Sequence, residues 1–118
     1  MRTVIIGGGA CGASAAARIR RLDESAEIIV LEKTGEISIA NCGLPYYTSG
    51  VINDREKMLV SSPEKFREWF NINVKLNTEV ININPDEKFV ETADGAKINY
   101  DKLVLAQGAK PFVPPIEG

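Results

Sequence analysis

Two apolar runs and a stripe of alanines between them dominate the first third of the chain. Residues 3–6 and 28–31 are almost continuously apolar, which is typical of strands that are buried on both faces. Residues 10–22 contain three alanines at helical spacing, and such small side chains let a helix pack closely on a sheet. The pattern predicts a strand, a helix and a second strand that together begin a parallel sheet.

Two further helices are indicated downstream. Residues 42–49 predict a short helix that ends at Gly50. Ser62-Pro63-Glu64 combines a capping hydroxyl, a proline at the first helical position and an acid, and it predicts a helix that runs to about residue 70. The expected apolar side of that helix consists of Phe66, Trp69 and Phe70.

The second half of the chain alternates short strand-like segments with turn signals such as Asn84-Pro85-Asp86 and Asp94-Gly95. The strands are expected at residues 72–76, 79–84, 88–93, 96–100 and 103–106. The sequence therefore predicts an α/β fold in which a small antiparallel β-meander accompanies the parallel sheet. Three prolines within residues 111–118 indicate a stiff linker at the end.

A glycine-rich turn joins the first strand to the first helix. Gly7, Gly9 and Gly12 match the G-x-G-x-x-G pattern of Rossmann-like dinucleotide-binding folds. The first glycine allows the tight turn, the second lets a pyrophosphate approach the backbone, and the third lets the helix pack close to the sheet. The free amides and the dipole at the start of the helix attract phosphate groups.

An acid stands at the end of the second strand, at the place where such folds bind the ribose. Glu32 can accept hydrogen bonds from the ribose hydroxyls, and it disfavours a 2′-phosphate, so FAD or NAD fits better than NADP. The alternative is a glycine turn in an ordinary α/β protein. The combination of strand, loop, helix, strand and acid favours dinucleotide binding over that alternative.

Composition and charge narrow the class of protein. The 118 residues suffice for one modest domain with one core. The net charge of −2 predicts no general attraction to nucleic acid or to an anionic membrane. The apolar runs are too short to span a bilayer, and no segment indicates export. We therefore expect a cytoplasmic protein.

The chain has two cysteines and no histidine. Without histidine, neither a Ser-His nor a Cys-His catalytic pair can form within the chain. No cluster has the spacing of a zinc site, so no metal is expected. A structural disulfide is a poor default in a cytoplasmic chain, although a Cys11–Cys42 bond is conceivable because both loops border the same crevice.

Cys42 lies in the unusual segment that follows Glu32, residues 37–47. Loops after the strands of such a fold gather at the ligand crevice, so Cys42 is expected to face the dinucleotide. It would also open a short helix, whose dipole favours the thiolate, and Gly43 would give a ligand access to the sulfur. The alternative is an inert buried thiol, and the position favours redox chemistry. Cys11, in contrast, is expected to be a small packing residue.

Four segments together carry a family resemblance, namely Gly7–Gly12, Glu32-Lys33, Ser38 with Asn41–Tyr47, and Tyr100–Ala109. Over the whole chain, they resemble the amino-terminal part of the single-cysteine FAD-dependent pyridine nucleotide–disulfide oxidoreductases. That group includes coenzyme A disulfide reductases, NADH oxidases, NADH peroxidases and CoA-dependent persulfide reductases. Asn41–Tyr47 is the most specific segment, and the resemblance is strongest to the coenzyme A disulfide reductase branch.

The resemblance implies a Rossmann-like FAD-binding fold, with NAD(P)H as an electron donor bound outside residues 1–118. The implied cofactor-binding residues are Gly7, Gly9, Ala10, Gly12, Glu32, Lys33, Val80, Ala106 and Gly108. Cys42 is the implied catalytic residue, cycling between a thiolate and a mixed disulfide with coenzyme A. The implied substrate-binding residues are Ser38, Asn41, Arg18 and Arg21, although a solvated helix end explains the two arginines equally well.

Three positions depart from the patterns of related enzymes. NADH oxidases and peroxidases have a histidine where this chain has Ala10, which disfavours chemistry on oxygen or peroxide. Two-cysteine relatives have a C-x4-C pair, but Tyr47 occupies the second position and excludes an internal dithiol of that type. Gln107 replaces the threonine of a common A-T-G segment that borders the cofactor.

The function implied is NAD(P)H-dependent reduction of coenzyme A disulfide or a related CoA persulfide. The alternatives are an NADH oxidase or peroxidase, and a non-catalytic dinucleotide-binding module that senses redox state. The choice among disulfide, persulfide and polysulfide, and between NADH and NADPH, stays open. Family members continue with NAD(P)H-binding and dimerisation domains. Residues 1–118 are therefore expected to be the amino-terminal part of an FAD-binding domain in a longer homodimeric protein, and not to turn over alone.

Overall fold

A computed structural model describes residues 1–117; Gly118, the last residue of the expected linker, lies outside the described residues. The strands are β1 (Arg2–Ile6), β2 (Glu27–Leu31), β3 (Asn73–Lys75), β4 (Val80–Asn84), β5 (Phe89–Thr92), β6 (Lys97–Asn99) and β7 (Lys102–Leu105). The α-helices are α1 (Ala10–Leu22), α2 (Leu44–Thr48) and α3 (Pro63–Phe70). Within residues 1–117, no helix is long and apolar enough to cross a bilayer.

The strands form two sheets. Four of them make a parallel sheet in the order β3-β2-β1-β7, and three make an antiparallel sheet in the order β4-β5-β6. In the parallel sheet, Ile5 of β1 pairs with Val30 on one side and with Val104 on the other. The predicted α/β fold with a parallel sheet and a β-meander is confirmed. The strand order reverses at β1, because the chain adds β2 on one side of it and β7 on the other.

The parallel sheet is buried on both faces. One core cluster, on the helix side, combines Ile5, Ile28 and Val30 of the sheet with Ala13, Ala16 and Phe66 of the helices. A second cluster, on the meander side, combines Val4, Ile29 and Leu31 with Val90 and Tyr100. Successive residues of a strand point to opposite faces, so this three-layer arrangement requires the continuous apolar runs seen in the sequence.

The apolar side of α3 is narrower than predicted. Phe66 is buried and Phe70 half-buried, with their ring centroids 6.1 Å apart. The prediction for Trp69 is wrong, because 68% of this residue is exposed and its ring lies beneath the Lys65 ammonium at 5.7 Å. At 3.6 residues per turn, residue 70 lies about 40° to one side of residue 66 and residue 69 about 60° to the other side, so Phe66 and Phe70 face the core while Trp69 faces solvent.

The helix predicted at residues 42–49 begins later than expected. Asn41–Gly43 forms a 3₁₀ turn, and α2 starts at Leu44 with Pro45 in its first turn, where proline is tolerated. Cys42 therefore lies at the start of the helical segment, as expected, but in its 3₁₀ turn and not in the α-helix itself. A second 3₁₀ helix, Arg55–Met58, was not predicted; Asp54 caps it by accepting a hydrogen bond from the Glu56 amide at 3.0 Å.

Candidate functional site

Three loops meet at the carboxyl ends of β1, β2 and β7. Together they border a cleft of about 750 Å³. The lining residues are Gly8, Gly9, Glu32, Lys33, Thr34, Glu36, Ser38, Ile39, Asn41, Gln107, Gly108, Ala109, Lys110 and Pro111. In open α/β sheets, ligands bind beyond the carboxyl ends of the strands at the point where the strand order reverses. The cleft occupies that position.

A smaller cleft of about 210 Å³ adjoins the first. Its lining residues are Ile6, Gly7, Leu31, Glu32, Lys33, Thr78, Glu79, Val80 and Gln107. Glu32, Lys33 and Gln107 line both clefts, so they stand between the two spaces. An elongated ligand that occupied both clefts would pass these three side chains.

The three motif glycines meet different surroundings. A Cβ atom on Gly7, whose φ is +102°, would lie 2.3 Å from the Ala106 carbonyl oxygen. A Cβ atom on Gly12 would lie 1.8 Å from the Gly7 carbonyl oxygen. Gly9 differs, because no protein atom other than its chain neighbours lies within 4 Å of its Cβ position. The fold requires the first and last glycines, whereas the space at Gly9 is open to a ligand.

The start of α1 is suited to an anion. Gly9 is its N-cap, no side chain caps the helix, and its first turn contains no acid. The first amides of an α-helix lack intrahelical acceptors and lie at the positive end of its dipole. With the open space at Gly9, this helix start fits the pyrophosphate of a dinucleotide.

The buried carboxylate of Glu32 is held by three donors. Its Oε2 accepts the Gly8 amide at 2.7 Å, and its Oε1 accepts the Thr34 amide at 2.8 Å and the Thr34 hydroxyl at 2.9 Å. Burial raises the pKa of Glu32, but the hydrogen bonds from Gly8 and Thr34, with the charge of Lys33, outweigh it and hold the pKa below its ordinary value. The carboxylate is therefore ionised at neutral pH.

Sequence reasoning missed Gly8 and Thr34 as site residues. A Cβ atom on Gly8 would lie 2.9 Å from the Ile37 side chain and 3.3 Å from Glu32, while the Gly8 carbonyl accepts the Ser38 amide at 2.8 Å. The signals were a glycine at a free position of the motif and a hydroxyl residue two positions after the acid. Neither signal is specific without the fold.

Ser38 and Asn41 line the larger cleft, and Ser38 has a left-handed backbone with φ of +59°. Cys42 follows directly and is exposed, but it is not one of the described residues that line the cleft. Cys11 is also exposed, so its predicted packing role is wrong; on α1, Gly12 and Ala13 face the core instead. Both cysteines are free, and the conceivable disulfide is not formed.

The other predicted residues divide into two groups. Lys33, Val80 and Gly108 line one or both clefts, Ala10 begins α1, and the Ala106 carbonyl packs against the glycine turn. The structure does not bring Arg18 and Arg21 to the clefts. Both are exposed on α1, about 12 Å and 17 Å along the helix axis from its first residue.

Known proteins resemble this chain along its whole length. The family model "Pyridine nucleotide-disulphide oxidoreductase" matches residues 1–118. A coenzyme A disulfide reductase of Staphylococcus aureus is 45% identical over 92% of this chain and 26% of its own length. An NADH oxidase of Methanocaldococcus jannaschii is 38% identical over 100% of this chain and 27% of its own length. The structure of an NAD-dependent persulfide reductase from A. fulgidus matches 99% of this chain and 23% of that protein, with 40% identity and a TM-score of 0.94.

These likenesses confirm the predicted Rossmann-like FAD-binding fold and the predicted family resemblance. The chain spans about a quarter of the length of the curated relatives that it matches. The family consists of flavoprotein oxidoreductases that use FAD and NAD(P)H. The chain belongs to the pyridine nucleotide-disulphide oxidoreductase family.

Proposed function

We propose that the full-length protein is an FAD-dependent oxidoreductase that uses NAD(P)H to reduce coenzyme A disulfide or a related CoA persulfide, as a cytoplasmic homodimer. Cys42 is its single redox-active residue. The observation that carries the proposal is the exposed, free thiol of Cys42. It directly follows Asn41, and Asn41 lines the cleft proposed for the dinucleotide. The 45% identity to a coenzyme A disulfide reductase supports the same substrate class.

FAD fits the two clefts through residues whose surroundings are open to a ligand. Gly9 and the α1 start at Ala10 would hold the pyrophosphate, and Glu32 would accept a ribose hydroxyl. The remaining contacts proposed for the cofactor come from Gly7, Gly12, Lys33, Val80, Ala106 and Gly108. When bound, FAD supplies a two-electron carrier between NAD(P)H and the Cys42 sulfur.

The chemistry proposed for Cys42 is thiol–disulfide exchange. Its thiolate attacks one sulfur of coenzyme A disulfide, forms a Cys42–S–S–CoA bond and releases the other coenzyme A as a thiolate. Two electrons that originate in NAD(P)H then cleave the mixed disulfide, release the second coenzyme A and restore the Cys42 thiolate. The exposed position of Cys42 suits this role, because the sulfur has to meet a substrate from solvent.

The substrate contacts proposed for this chain fall into two groups. Ser38 and Asn41 line the cleft and border the pantetheine arm. Arg18 and Arg21 are exposed cations on α1 and meet the phosphates of coenzyme A at the far end of an extended ligand.

The first prediction tests Cys42 in the full-length protein with Cys42→Ser and, as a matched control, Cys11→Ser. Both residues are exposed free thiols, so solvent access alone does not distinguish them. Anaerobic titration with NADH is expected to give the wild-type and Cys11→Ser proteins a long-wavelength thiolate–flavin charge-transfer band. Both proteins are also expected to release coenzyme A from its disulfide. Cys42→Ser is expected to keep a flavin spectrum but to lose the band and the release.

Retained coenzyme A release by Cys42→Ser would refute the redox role of Cys42. An NADH oxidase is the second candidate, because one relative with that name is 38% identical over the whole chain. NADH consumption that requires oxygen, without release of coenzyme A from its disulfide, would favour the oxidase. The alanine at position 10, where oxidases have a histidine, argues against it. A colourless protein without flavin would favour a redox-sensing module.

A further inference from the structure

Thr34 makes two contacts to a single oxygen of Glu32. Its amide and its hydroxyl lie 2.8 Å and 2.9 Å from Oε1, and the Gly8 amide lies 2.7 Å from Oε2. A carboxylate oxygen has two lone-pair sites. Thr34 therefore saturates Oε1, whereas Oε2 keeps one acceptor site free for a ligand.

The Thr34 hydroxyl has one proton and two acceptors within reach. Glu32 Oε1 lies 2.9 Å away and the Glu36 carbonyl oxygen 3.1 Å away. The carboxylate is the nearer acceptor and bears a charge, and hydrogen bonds to ionised acceptors are about twice as strong as neutral ones. The hydroxyl proton therefore points to Glu32, and the lone pairs of the hydroxyl oxygen face the loop.

We propose that Thr34 is a positioning residue for cofactor binding, which fixes the rotation of the Glu32 carboxylate so that Oε2 receives a ribose hydroxyl of FAD. The inference rests on the proposed role of Glu32. Thr34 lies in the loop after β2, lines the larger cleft and is itself exposed. Its side chain therefore acts through Glu32 and not through the hydrophobic core.

Several charged groups surround Glu32, and the pH at which Glu32 ionises reports on its contact with Thr34. Lys33 neighbours it in sequence, Glu36 and Lys110 line the larger cleft, and Glu79 lines the smaller one. An ionised carboxylate accepts at both oxygens from Gly8 and Thr34 and still has an acceptor site for a ligand, whereas protonation puts a donor on one oxygen and removes acceptor capacity. Removal of the Thr34 hydroxyl takes away a bond that lowers the pKa of Glu32, so the pKa moves upward. FAD affinity is then lost at a higher pH during acidification.

The test compares the wild-type protein with Thr34→Val, Thr34→Ser and Glu32→Gln, each full length, stripped of flavin and titrated with FAD from about pH 3 to pH 8, so that the range extends below the ordinary pKa of a glutamate. Valine keeps the shape of threonine and removes the hydroxyl, whereas serine keeps the hydroxyl. At pH 7, Thr34→Val is expected to raise the Kd of FAD about tenfold, in the range of one hydrogen bond to a charged group. The pH midpoint for the loss of FAD affinity is expected to rise in this variant. Thr34→Ser is expected to keep both the Kd and the pH midpoint of the wild-type protein.

The outcomes separate this inference from the function on which it rests. If Glu32→Gln weakens FAD binding but Thr34→Val changes neither the Kd nor the pH midpoint, the role of Thr34 is refuted while that of Glu32 stands. If Glu32→Gln also leaves the Kd unchanged, the ribose assignment fails and the inference falls with it. A lower thermal stability of Thr34→Val with an unchanged pH midpoint would assign Thr34 a structural role and overturn the proposal.

Discussion

At the scale of single residues, the glycine motif combines two physical demands that the sequence pattern does not separate. The nearest backbone oxygens lie 2.3 Å from a Cβ on Gly7 and 1.8 Å from a Cβ on Gly12, so side chains there collide with the protein itself. At Gly9 the Cβ position is empty space beside the helix start. Gly7 and Gly12 are therefore required by the packing of the protein, whereas Gly9 leaves space that a ligand can occupy.

Gly9→Val is accordingly expected to separate stability from cofactor binding. The backbone at Gly9 is extended, with φ of −68°, which valine adopts without strain, and no protein atom opposes the new side chain. The free energy of unfolding of the flavin-free protein, measured by thermal denaturation, is expected to change by less than about 0.5 kcal/mol. FAD content is expected to fall to near zero, because the side chain fills the space proposed for the pyrophosphate. Unchanged FAD content would refute the assignment of the loop.

Gly12→Ala, in contrast, is expected to lower the stability of the flavin-free protein. Its Cβ would press on the Gly7 carbonyl oxygen, so the helix start or the turn has to move. Overpacking of this kind costs about 1–3 kcal/mol of unfolding free energy. Chemical denaturation of the flavin-free protein measures the cost directly. If the Gly12→Ala protein were as stable as the unchanged chain, α1 would have to shift freely against the turn.

At the scale of elements, Arg20 ties the end of α1 to the end of α3. Its Nε donates to the Phe70 carbonyl at 2.7 Å, and one terminal nitrogen donates to the Asn71 carbonyl at 2.9 Å. The other terminal nitrogen donates to the carbonyls of Asp23 and Glu24, at 3.2 Å and 2.5 Å. A planar guanidinium can serve several carbonyls at once, so one side chain satisfies the ends of both helices.

Arg20→Ala is expected to lower the free energy of unfolding by about 1–3 kcal/mol, because partly buried carbonyls lose a charged donor. Arg21→Ala is the matched control, since the neighbouring Arg21 is exposed at the same helix end. It is expected to change stability by less than about 0.5 kcal/mol. Urea denaturation of both variants measures the difference. Equal effects would mean that the loss of helix-end charge, and not the four carbonyl contacts, explains the result.

The elements that the sequence predicted well are those whose apolar residues recur at a regular spacing or form a continuous run. β1 and β2 are apolar on both faces because both faces are covered, and Ser62 with Pro63 begins α3 as expected. The errors lie where a local pattern has more than one solution. Residues 41–43 form a 3₁₀ turn before α2, and only the packed structure shows that Trp69 falls outside the buried face of α3. For the site, the motif predicted Gly9 and Glu32, whereas the Thr34 contact depends on the path of the loop.

At the scale of the whole molecule, both clefts open to solvent beyond the sheet ends and loops that line them, and several apolar residues beside them are exposed. A neighbouring groove of about 360 Å³ lies between β4 and β7 and is lined by Ile6, Val80, Ile81, Asn82, Ile83, Leu105 and Gln107. Ile81 and Leu105 are 63% and 55% exposed, and β7 is an edge strand of the sheet. Large exposed apolar residues at a sheet edge are typical of a surface that another segment covers.

The polypeptide of residues 1–118, expressed alone, is therefore expected to bind FAD much more weakly than the full-length protein. Tight sites bury roughly 70–90% of a ligand, and clefts that open to solvent bury less. Gel filtration followed by absorbance measures the result: the full-length protein is expected to retain flavin, and the isolated polypeptide is expected to elute without it. Circular dichroism establishes that the polypeptide is folded. A folded polypeptide that retained stoichiometric FAD would show that the glycine turn, Glu32 and their loops suffice, and that the rest of the protein serves only electron supply and substrate.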